Sequence, residues 1–201
     1  LAGALARVPV SSERPDAGTD AGDAPDGAAR PELGALRGRL ERTLDDHRAE
    51  ARDKREPFEP KGYLTDYYTD EAVKVIEANK ERPFFLYLAH WAPHTPLQAT
   101  KEDYDALEGI PLHRERVYGA MIRALDRGVG RVLDALEANG LTENTLVLFT
   151  SDNGGYSGYG GKPGGTCNAP LREGKGSAHE GGHRVPLIVR WPGVTPAGSV
   201  C

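Results

Sequence analysis

The sequence contains little cysteine, no long apolar run and no concentrated positive charge. Two of the 201 residues are cysteines, one of them the last residue, so they establish neither a disulfide nor a redox compartment. No apolar run approaches the roughly 20 residues that span a bilayer, and no signal peptide is seen. The formal net charge is -5, and basic residues are interleaved with acidic ones. The sequence therefore predicts no transmembrane segment and no nucleic-acid partner, and it leaves the oligomeric state open.

Aromatic residues are absent from the first part of the chain. None occurs before Phe58, and residues 12–27 are small, acidic or turn-forming. Such a stretch cannot bury enough apolar surface to offset the entropy lost on ordering. Residues 1–30 are therefore predicted to form a disordered tail or linker.

Residues 31–56 have a different pattern. Leucines recur at helical spacing with charges on the other side, and a strongly charged run follows from residue 45. This pattern predicts an amphipathic charged helix, interpreted as a docking helix of uncertain placement. The leucines are Leu33, Leu36, Leu40 and Leu44.

Helical and strand patterns alternate through residues 57–201. A helix is predicted at 69–79 with Thr69 as its cap, a strand from residue 84, a long helix at 113–139, and strands at 145–150 and 186–191. Gly140 is the predicted stop of the long helix. Helices between buried strands indicate an α/β fold with a mostly parallel sheet and helices on both faces. One apolar stripe of the long helix is assigned to the core of this fold. It contains Val117, Met121, Leu125, Val129, Val132 and Leu136.

Polar residues follow the strand at 145–150. Asp152 and Asn153 come directly after it, and ligands of open α/β sheets gather at the carboxyl ends of strands. Both side chains offer hard oxygen atoms, which hold calcium or magnesium. An ordinary Asp-Asn-Gly-Gly turn is the alternative for this segment taken alone.

Two further segments carry groups suited to catalysis. His94 lies between two prolines, whose rings fix the backbone around an imidazole that can transfer protons. Lys175 stands between two glycines, which let an anionic substrate approach its ammonium closely. Each residue taken singly is also explained as part of a solvated loop.

Together and in this order, these segments resemble the sulfatases, the metal-dependent sulfuric ester hydrolases of the alkaline phosphatase superfamily. The resemblance implies that Asp152 and Asn153 ligate Ca²⁺, with Mg²⁺ as the alternative. It implies that His94 and Lys175 contact the sulfate and assist the leaving oxygen, and that residues 57–201 are part of the catalytic domain. The motifs are Gly62-Tyr-Leu-Thr-Asp66, Ala92-Pro-His-Thr-Pro96, Ser151-Asp-Asn-Gly-Gly155, Gly174-Lys-Gly176 and Glu180-Gly-Gly182.

The nucleophile expected of a sulfatase is not found in this chain. Sulfatases make a formylglycine nucleophile from a Cys/Ser-x-Pro-x-Arg segment, and they hold the metal with a further aspartate pair near the amino end. Neither feature is found in this sequence. The segment from Cys167 to Arg172 has proline and arginine one position too late, and it lies in the wrong place in the family order. Because the chain also begins with Leu1 rather than Met, we expect a fragment of a longer protein that has no turnover by itself.

Substrate and function class are left with alternatives. The nearer alternative is a phosphodiesterase or phosphonate hydrolase of the same superfamily, and the farther one is a noncatalytic carbohydrate-binding or calcium-binding remnant. His179 is predicted to line the substrate pocket, with a surface histidine as an equal alternative. The predicted partner is a small-molecule or glycan sulfate ester, and export to the periplasm or outside the cell is implied only by the resemblance.

Overall fold

The computed structural model of the chain describes residues 2–6, 60–159, 162–163 and 165–200. The amphipathic helix predicted at 31–56 lies outside these residues, as does most of the tail predicted at 1–30. No helix in the described ranges is long and apolar enough to cross a membrane.

Helix α1, Leu64–Asn79, starts earlier than the sequence predicts. Gly62 adopts a φ of +82°, and the helix begins two residues later. The prediction that Thr69 caps this helix is wrong. Thr69 lies within the helix and not at its start, and its side chain is buried. Its hydroxyl donates a hydrogen bond of 2.9 Å to the carbonyl of Thr65. A threonine can bond the preceding turn in this way, so an isolated threonine does not identify a helix start.

Helix α3, His113–Ala138, confirms the long helix and its stop. Gly140 has a φ of +66°, and its N–H donates to the carbonyl of Glu137. Glycine adopts this left-handed conformation without the steric cost of a side chain. The short helix α2, Lys101–Asp105, precedes α3 and was not predicted.

The main sheet has four strands in the spatial order β2-β1-β3-β6. They are β1 Ala2–Ala6, β2 Phe85–Ala89, β3 Leu146–Thr150 and β6 Leu187–Arg190. The last three agree with the predicted strands. Strand β1 falls within residues 1–30, which were expected to be disordered, so that prediction is wrong for Ala2–Ala6. The remaining short elements are a 3₁₀ helix, Thr142–Asn144, the hairpin of β4, Gly158–Tyr159, with β5, Lys162–Pro163, and helix α4, Glu180–His183.

The predicted parallel pairing is not observed among the described strands. β1 pairs antiparallel with both β2 and β3, and β3 pairs antiparallel with β6. β2 and β3 do point the same way, as a helical crossover between strands favours. They are not neighbours, because β1 lies between them. The prediction failed because it had no strand at residues 2–6, and hydrophobic pattern does not specify which strands pair.

The described helices α1 and α3 share one core with the sheet and therefore pack on the same face of it. The prediction of helices on both faces is not met in this part of the chain. The core contains Ile76 from α1 and Leu136 from α3, both completely buried. Leu86 of β2 and Val147 of β3 pack against that core. Tyr87 points away from it and is 61% exposed, because alternate residues of a strand face opposite sides.

A buried carboxylate ties the helices together. Asp103 of α2 is 1% exposed in its side chain, and Arg123 and Arg127 of α3 each place a guanidinium nitrogen 2.5 Å from its Oδ1. Arg127 also reaches Asp66 of α1 at 3.2 Å. Burial alone would raise the pKa of Asp103, but hydrogen bonds from Arg127, Thr100 and Arg123 bring it below its usual range. The network fixes α3, whose first turns border the candidate site.

Candidate active site

One cavity collects four of the predicted site residues. It has a volume of about 760 Å³ and is lined by His94, Asp152, Asn153 and Lys175. This size is typical of small-molecule sites. The four residues come from three loops that are far apart in the sequence, so the fold brings them together. The cavity is also lined by His90, Trp91, Arg114, Glu115, Tyr118 and Tyr156.

Asp152 and Asn153 lie where β3 ends. The hydroxyl of Ser151 donates to the carbonyl of Asn153 at 2.7 Å, which closes a tight turn. The side-chain nitrogen of Asn153 donates to the carbonyl of Gly154 at 2.9 Å. Its side-chain oxygen is therefore the atom left to accept a hydrogen bond or to bind a cation.

His94 follows β2 in a loop that holds its imidazole by the main chain. Its Nδ1 lies 2.9 Å from the carbonyl oxygen of Thr95. A carbonyl can only accept, so this nitrogen carries the proton and Nε2 is left for other partners. The same carbonyl accepts a hydrogen bond of 3.0 Å from the indole N–H of Trp91. The two rings are consequently fixed edge to face, with centroids 5.3 Å apart.

Lys175 is held next to the turn after β3 by its backbone. Its N–H donates to the carbonyl of Gly155 at 3.1 Å. The side chain is exposed and forms no ion pair with another described residue. Its positive charge is therefore available to an anion in the cavity.

Asn168 joins the two loops that carry these groups. Its Oδ1 accepts from the N–H of Gly155 at 2.9 Å, and its Nδ2 donates to the carbonyl of Gly155 at 2.8 Å. The same Nδ2 lies 3.0 Å from the carbonyl of Glu173. One carboxamide thus sets the distance between the turn at Asp152 and the loop at Lys175.

Glycines allow the loops to approach this closely. A Cβ on Gly154 would lie 1.7 Å from the carbonyl oxygen of Gly181, and one on Gly174 would lie 2.2 Å from that of Gly155. Neither distance is compatible with a side chain. The N–H of Gly154 instead donates to the carbonyl of Gly182 at 3.0 Å. Main-chain atoms likewise leave no room for a Cβ on Gly181 or Gly182, so Gly154, Gly174, Gly181 and Gly182 are required by the backbone packing of these loops.

His90 lines the cavity but is 8% exposed. Neither of its ring nitrogens has a hydrogen-bond partner within the described part of the chain. Burial lowers the pKa of His90 to about 4, because the charged form loses its hydration. The imidazole is consequently neutral near pH 7.

His179 and Cys167 do not line the cavity formed by the described residues. The Nε2 of His179 lies 3.7 Å from a carboxylate oxygen of Glu173. This geometry gives no support to the predicted substrate contact of His179. Cys167 is an exposed free thiol, in keeping with its interpretation as a loop cysteine.

The donor set fits a calcium ion in part. Asp152 and Asn153 offer adjacent hard oxygens, but calcium takes six to eight. No group of three or more His, Cys, Asp and Glu side chains that could hold a metal occurs in the described ranges. The two residues can thus supply part of a coordination shell, and the other ligands would have to come from outside these residues.

Comparison with known proteins identifies the family. The sulfatase family model matches residues 36–200. The chain belongs to the sulfatase family. A sulfatase of Formosa agariphila is 41% identical over 152 residues, which cover 69% of this chain and 26% of that protein. The steryl-sulfatase of Mus musculus is 42% identical over 142 residues, covering 69% and 22% of the respective chains.

A solved structure is similar to this chain in both fold and sequence. The crystal structure of Ps i-CgsB in complex with k-i-k-neocarrahexaose is similar with a TM-score of 0.67 and 44% identity. The likeness covers 72% of this chain and 32% of that one. The sulfatase chain described here spans about a quarter of the length of its curated relatives.

The sequence did not indicate a role for Asn168, which supports the loops without lining the cavity. It also did not indicate that Arg114, Glu115 and Tyr118, predicted only as part of a helix, line the cavity. An asparagine beside a glycine-rich loop is only a weak sequence signal for this linking role. Its carboxamide has donors and an acceptor and can therefore connect two main-chain segments, but the sequence does not show which segments. No sequence signal showed that the first turns of α3 reach the loops that follow the strands.

Proposed function

We propose that this chain forms part of the active site of a sulfuric ester hydrolase. The observation that carries the proposal is the convergence of His94, Asp152, Asn153 and Lys175 on one cavity. Sulfatase family membership supports a sulfate ester as the substrate. The activity proposed is that of the protein containing this chain, because the chain spans only part of its relatives.

The proposed role of Lys175 is to bind the sulfate group. Breaking the bond between sulfur and the ester oxygen spreads negative charge over the sulfate and the leaving oxygen. An ammonium that already lies at those oxygens stabilises the charge without reorganisation. Asp152 and Asn153 would hold a divalent cation, which supplies further positive charge at the sulfate when bound.

The proposed role of His94 is to assist the leaving oxygen. Its Nδ1–H is hydrogen-bonded to the carbonyl of Thr95, so Nε2 is the ring nitrogen that remains available to a ligand. When the ring is protonated, Nε2–H can give its proton to the departing alkoxide as the ester bond breaks. The rigid loop keeps this nitrogen in one position, which favours proton transfer.

We further propose that the chain alone has no turnover, since no Cys/Ser-x-Pro-x-Arg segment occurs in its 201 residues. Incubation of the purified chain with 4-nitrophenyl sulfate tests this directly. Release of 4-nitrophenol above the level given by the Lys175→Ala variant would contradict the proposal.

The complete reading frame containing this chain tests the activity itself. Its hydrolysis of 4-nitrophenyl sulfate is expected to exceed that of 4-nitrophenyl phosphate, and Lys175→Ala should lower kcat about 100- to 1000-fold. Lys61→Ala removes the same charge from an exposed lysine outside the cavity and serves as the control.

A faster phosphate ester reaction would favour the phosphodiesterase or phosphonate hydrolase alternative. Binding of a sulfate ester without turnover would favour a noncatalytic carbohydrate-binding or calcium-binding protein. Relatives do not decide the organic part of the ester, because they include a steryl-sulfatase and a protein in complex with an oligosaccharide. Export stays a prediction from the family resemblance.

A further inference from the structure

The face of the main sheet opposite α1 and α3, called the outer face below, is apolar. Register shows which residues share it, because directly paired residues of neighbouring strands lie on the same side of a sheet. Leu86 and Val147 both pair with Leu5, and both pack against the core. The residues before and after them along each strand therefore belong to the outer face. With their partners on β6, the large apolar residues of the outer face are Phe85, Tyr87, Leu146, Leu148, Leu187 and Val189.

The outer face is open at both edges of the sheet. Tyr87 is 61% exposed, Leu187 62% and Val189 40%. Tyr87 lies on β2 and the other two lie on β6, which are the edge strands, so the exposed apolar surface extends across the width of the sheet. A contiguous apolar surface of this kind indicates a contact with another segment or another molecule.

The amphipathic helix predicted at residues 31–56, which lies outside the described residues, has a surface that complements this face. Its four leucines fall within an arc of about 80° of a helix, and charged residues occupy the other side. Leu33 and Leu44, the ends of this leucine stripe, are separated by about 17 Å along a helix axis. A strand of five residues is also about 17 Å long. The leucine stripe therefore matches the outer face in length as well as in chemistry.

The chain path allows this segment to reach the outer face. β1 lies inside the sheet and ends at Ala6, and the described chain resumes at residue 60, shortly before α1. The shorter of the two linkers, residues 45–59, can extend to about 50 Å. Four strands are only about 15 Å wide. The sulfatase family model, which matches residues 36–200, includes most of the segment together with β2, β3 and β6, and this supports placing both in one domain.

We infer that residues 31–56 dock as an amphipathic helix on the outer face, with the leucine stripe against Tyr87, Leu148 and Val189. The charged side of the helix faces solvent and keeps its hydration. A segment of the same chain is favoured over a second copy of the protein, because a linker holds it at an effective concentration near millimolar. The inference is independent of the proposed sulfate site.

The reactivity of a thiol on the outer face measures whether this face is covered. The test uses Val189→Cys in the full 201-residue chain, with Cys167→Ser and Cys201→Ser to leave one thiol. We expect Leu40→Gln to speed alkylation of that thiol by N-ethylmaleimide about tenfold or more, because burial of one leucine changes a docking equilibrium by at least that factor. Arg42→Gln is the matched control, since residue 42 is about 200° around the helix from residue 40. It should leave the rate unchanged.

Cross-linking identifies what covers the face. In the same background without native cysteines, Leu40→Cys combined with Tyr87→Cys should be joined within one chain by a short bismaleimide. Leu40→Cys combined with Glu102→Cys is the control, because Glu102 is exposed on α2, which is tied to α3 on the other side of the sheet. That pair should give little intramolecular product. Should Leu40→Gln unfold the sheet, which circular dichroism would show, the cross-link decides.

The results separate the possible occupants. A rate of alkylation that neither Leu40→Gln nor Arg42→Gln changes, with no link from Leu40→Cys to Tyr87→Cys, would overturn the inference. Protection that increases with protein concentration, together with links between chains, would assign the outer face to a second copy and also overturn it. Concentration-independent protection, lost in Leu40→Gln and kept in Arg42→Gln, would establish the docked helix.

Discussion

The carboxamide of Asn168 forms two hydrogen bonds with the main chain of Gly155, accepting from its N–H at 2.9 Å and donating to its C=O at 2.8 Å. The backbone N–H of Lys175 donates to the same carbonyl. The geometry of the candidate site therefore depends on a residue that does not line the cavity.

Asn168→Ala is expected to loosen the site and to lower the free energy of unfolding by about 1 to 3 kcal/mol, because main-chain groups lose their partners. Amide hydrogen exchange at Gly155 and Lys175 should become faster. Asn139→Ala is the control, since that side chain only donates to the carbonyl of Ala135 at the end of α3. Similar exchange at Gly155 in both variants would show that Asn168 does not hold the turn.

Gly154→Ala should destabilise the chain by more than about 2 kcal/mol, because the new methyl would lie 1.7 Å from the carbonyl oxygen of Gly181. Gly130 of α3 has no neighbouring atom within 4 Å of such a methyl. Gly130→Ala should instead stabilise the helix by about 0.5 to 1 kcal/mol. Urea denaturation of both variants measures the contrast, and equal effects would refute the close packing beneath the site.

Asp103→Asn should cost about 2 to 3 kcal/mol of stability, less than a fully buried ion pair because Arg123 and Arg127 are partly exposed. Asp105→Asn on the same helix removes an exposed pair with Lys101 and should cost under about 1 kcal/mol. Chemical denaturation at pH 7 compares the two. If Asp105→Asn were the more damaging change, the network would not be what secures α2 to α3.

The lowered pKa of Asp103 also predicts a pH dependence. The pKa of this carboxyl is lower in the folded protein than in the unfolded chain. Its ionised form therefore contributes to the free energy of unfolding above the unfolded pKa of about 3.9, and this contribution is lost as the pH falls through the folded pKa. Asp103→Asn should show less loss of stability on acidification than the unsubstituted chain. Parallel pH profiles for the two proteins would contradict this.

His90 should make the fold sensitive to mild acid. Its pKa is about 4 in the folded chain against an ordinary value of 6.5, so the folded state binds fewer protons than the unfolded state between these values. Stability should therefore fall by about 2 kcal/mol as pH drops from 8 to 5. His90→Leu should remove that part of the pH dependence, whereas the control His183→Leu, at an exposed position, should keep it. A profile unchanged by His90→Leu would mean that the ring is not buried as described.

β2, β3 and β6 were predicted because each lies in a short apolar run bounded by turn residues. α3 was predicted because its apolar residues recur at helical spacing. β1 was not found, because three alanines, a glycine and a single leucine near an acidic, turn-rich stretch carry no strand signal. Its place between β2 and β3 decides the antiparallel pairing, and that information lies in tertiary contacts, which a single sequence does not display.

The candidate site could be predicted where chemistry concentrates in short motifs. His94 stands in a loop marked by prolines, and Asp152, Asn153 and Lys175 stand in loops marked by glycines. The supporting contacts of Asn168 and the cavity wall formed by Arg114 could not be predicted, because they depend on how distant segments pack. His179 shows the converse, since its position in a motif did not bring it to the cavity.

The most direct test of a single sulfate site is a titration of the ¹⁵N-labelled chain with sodium sulfate in the presence of calcium. We predict that the amide signals of residues 152–155 and of Lys175 shift together with one dissociation constant. Lys175→Ala should abolish these shifts, and the control Lys61→Ala should retain them. Shifts confined to other parts of the chain, or equal loss in both variants, would contradict the assignment of these loops as one sulfate-binding site.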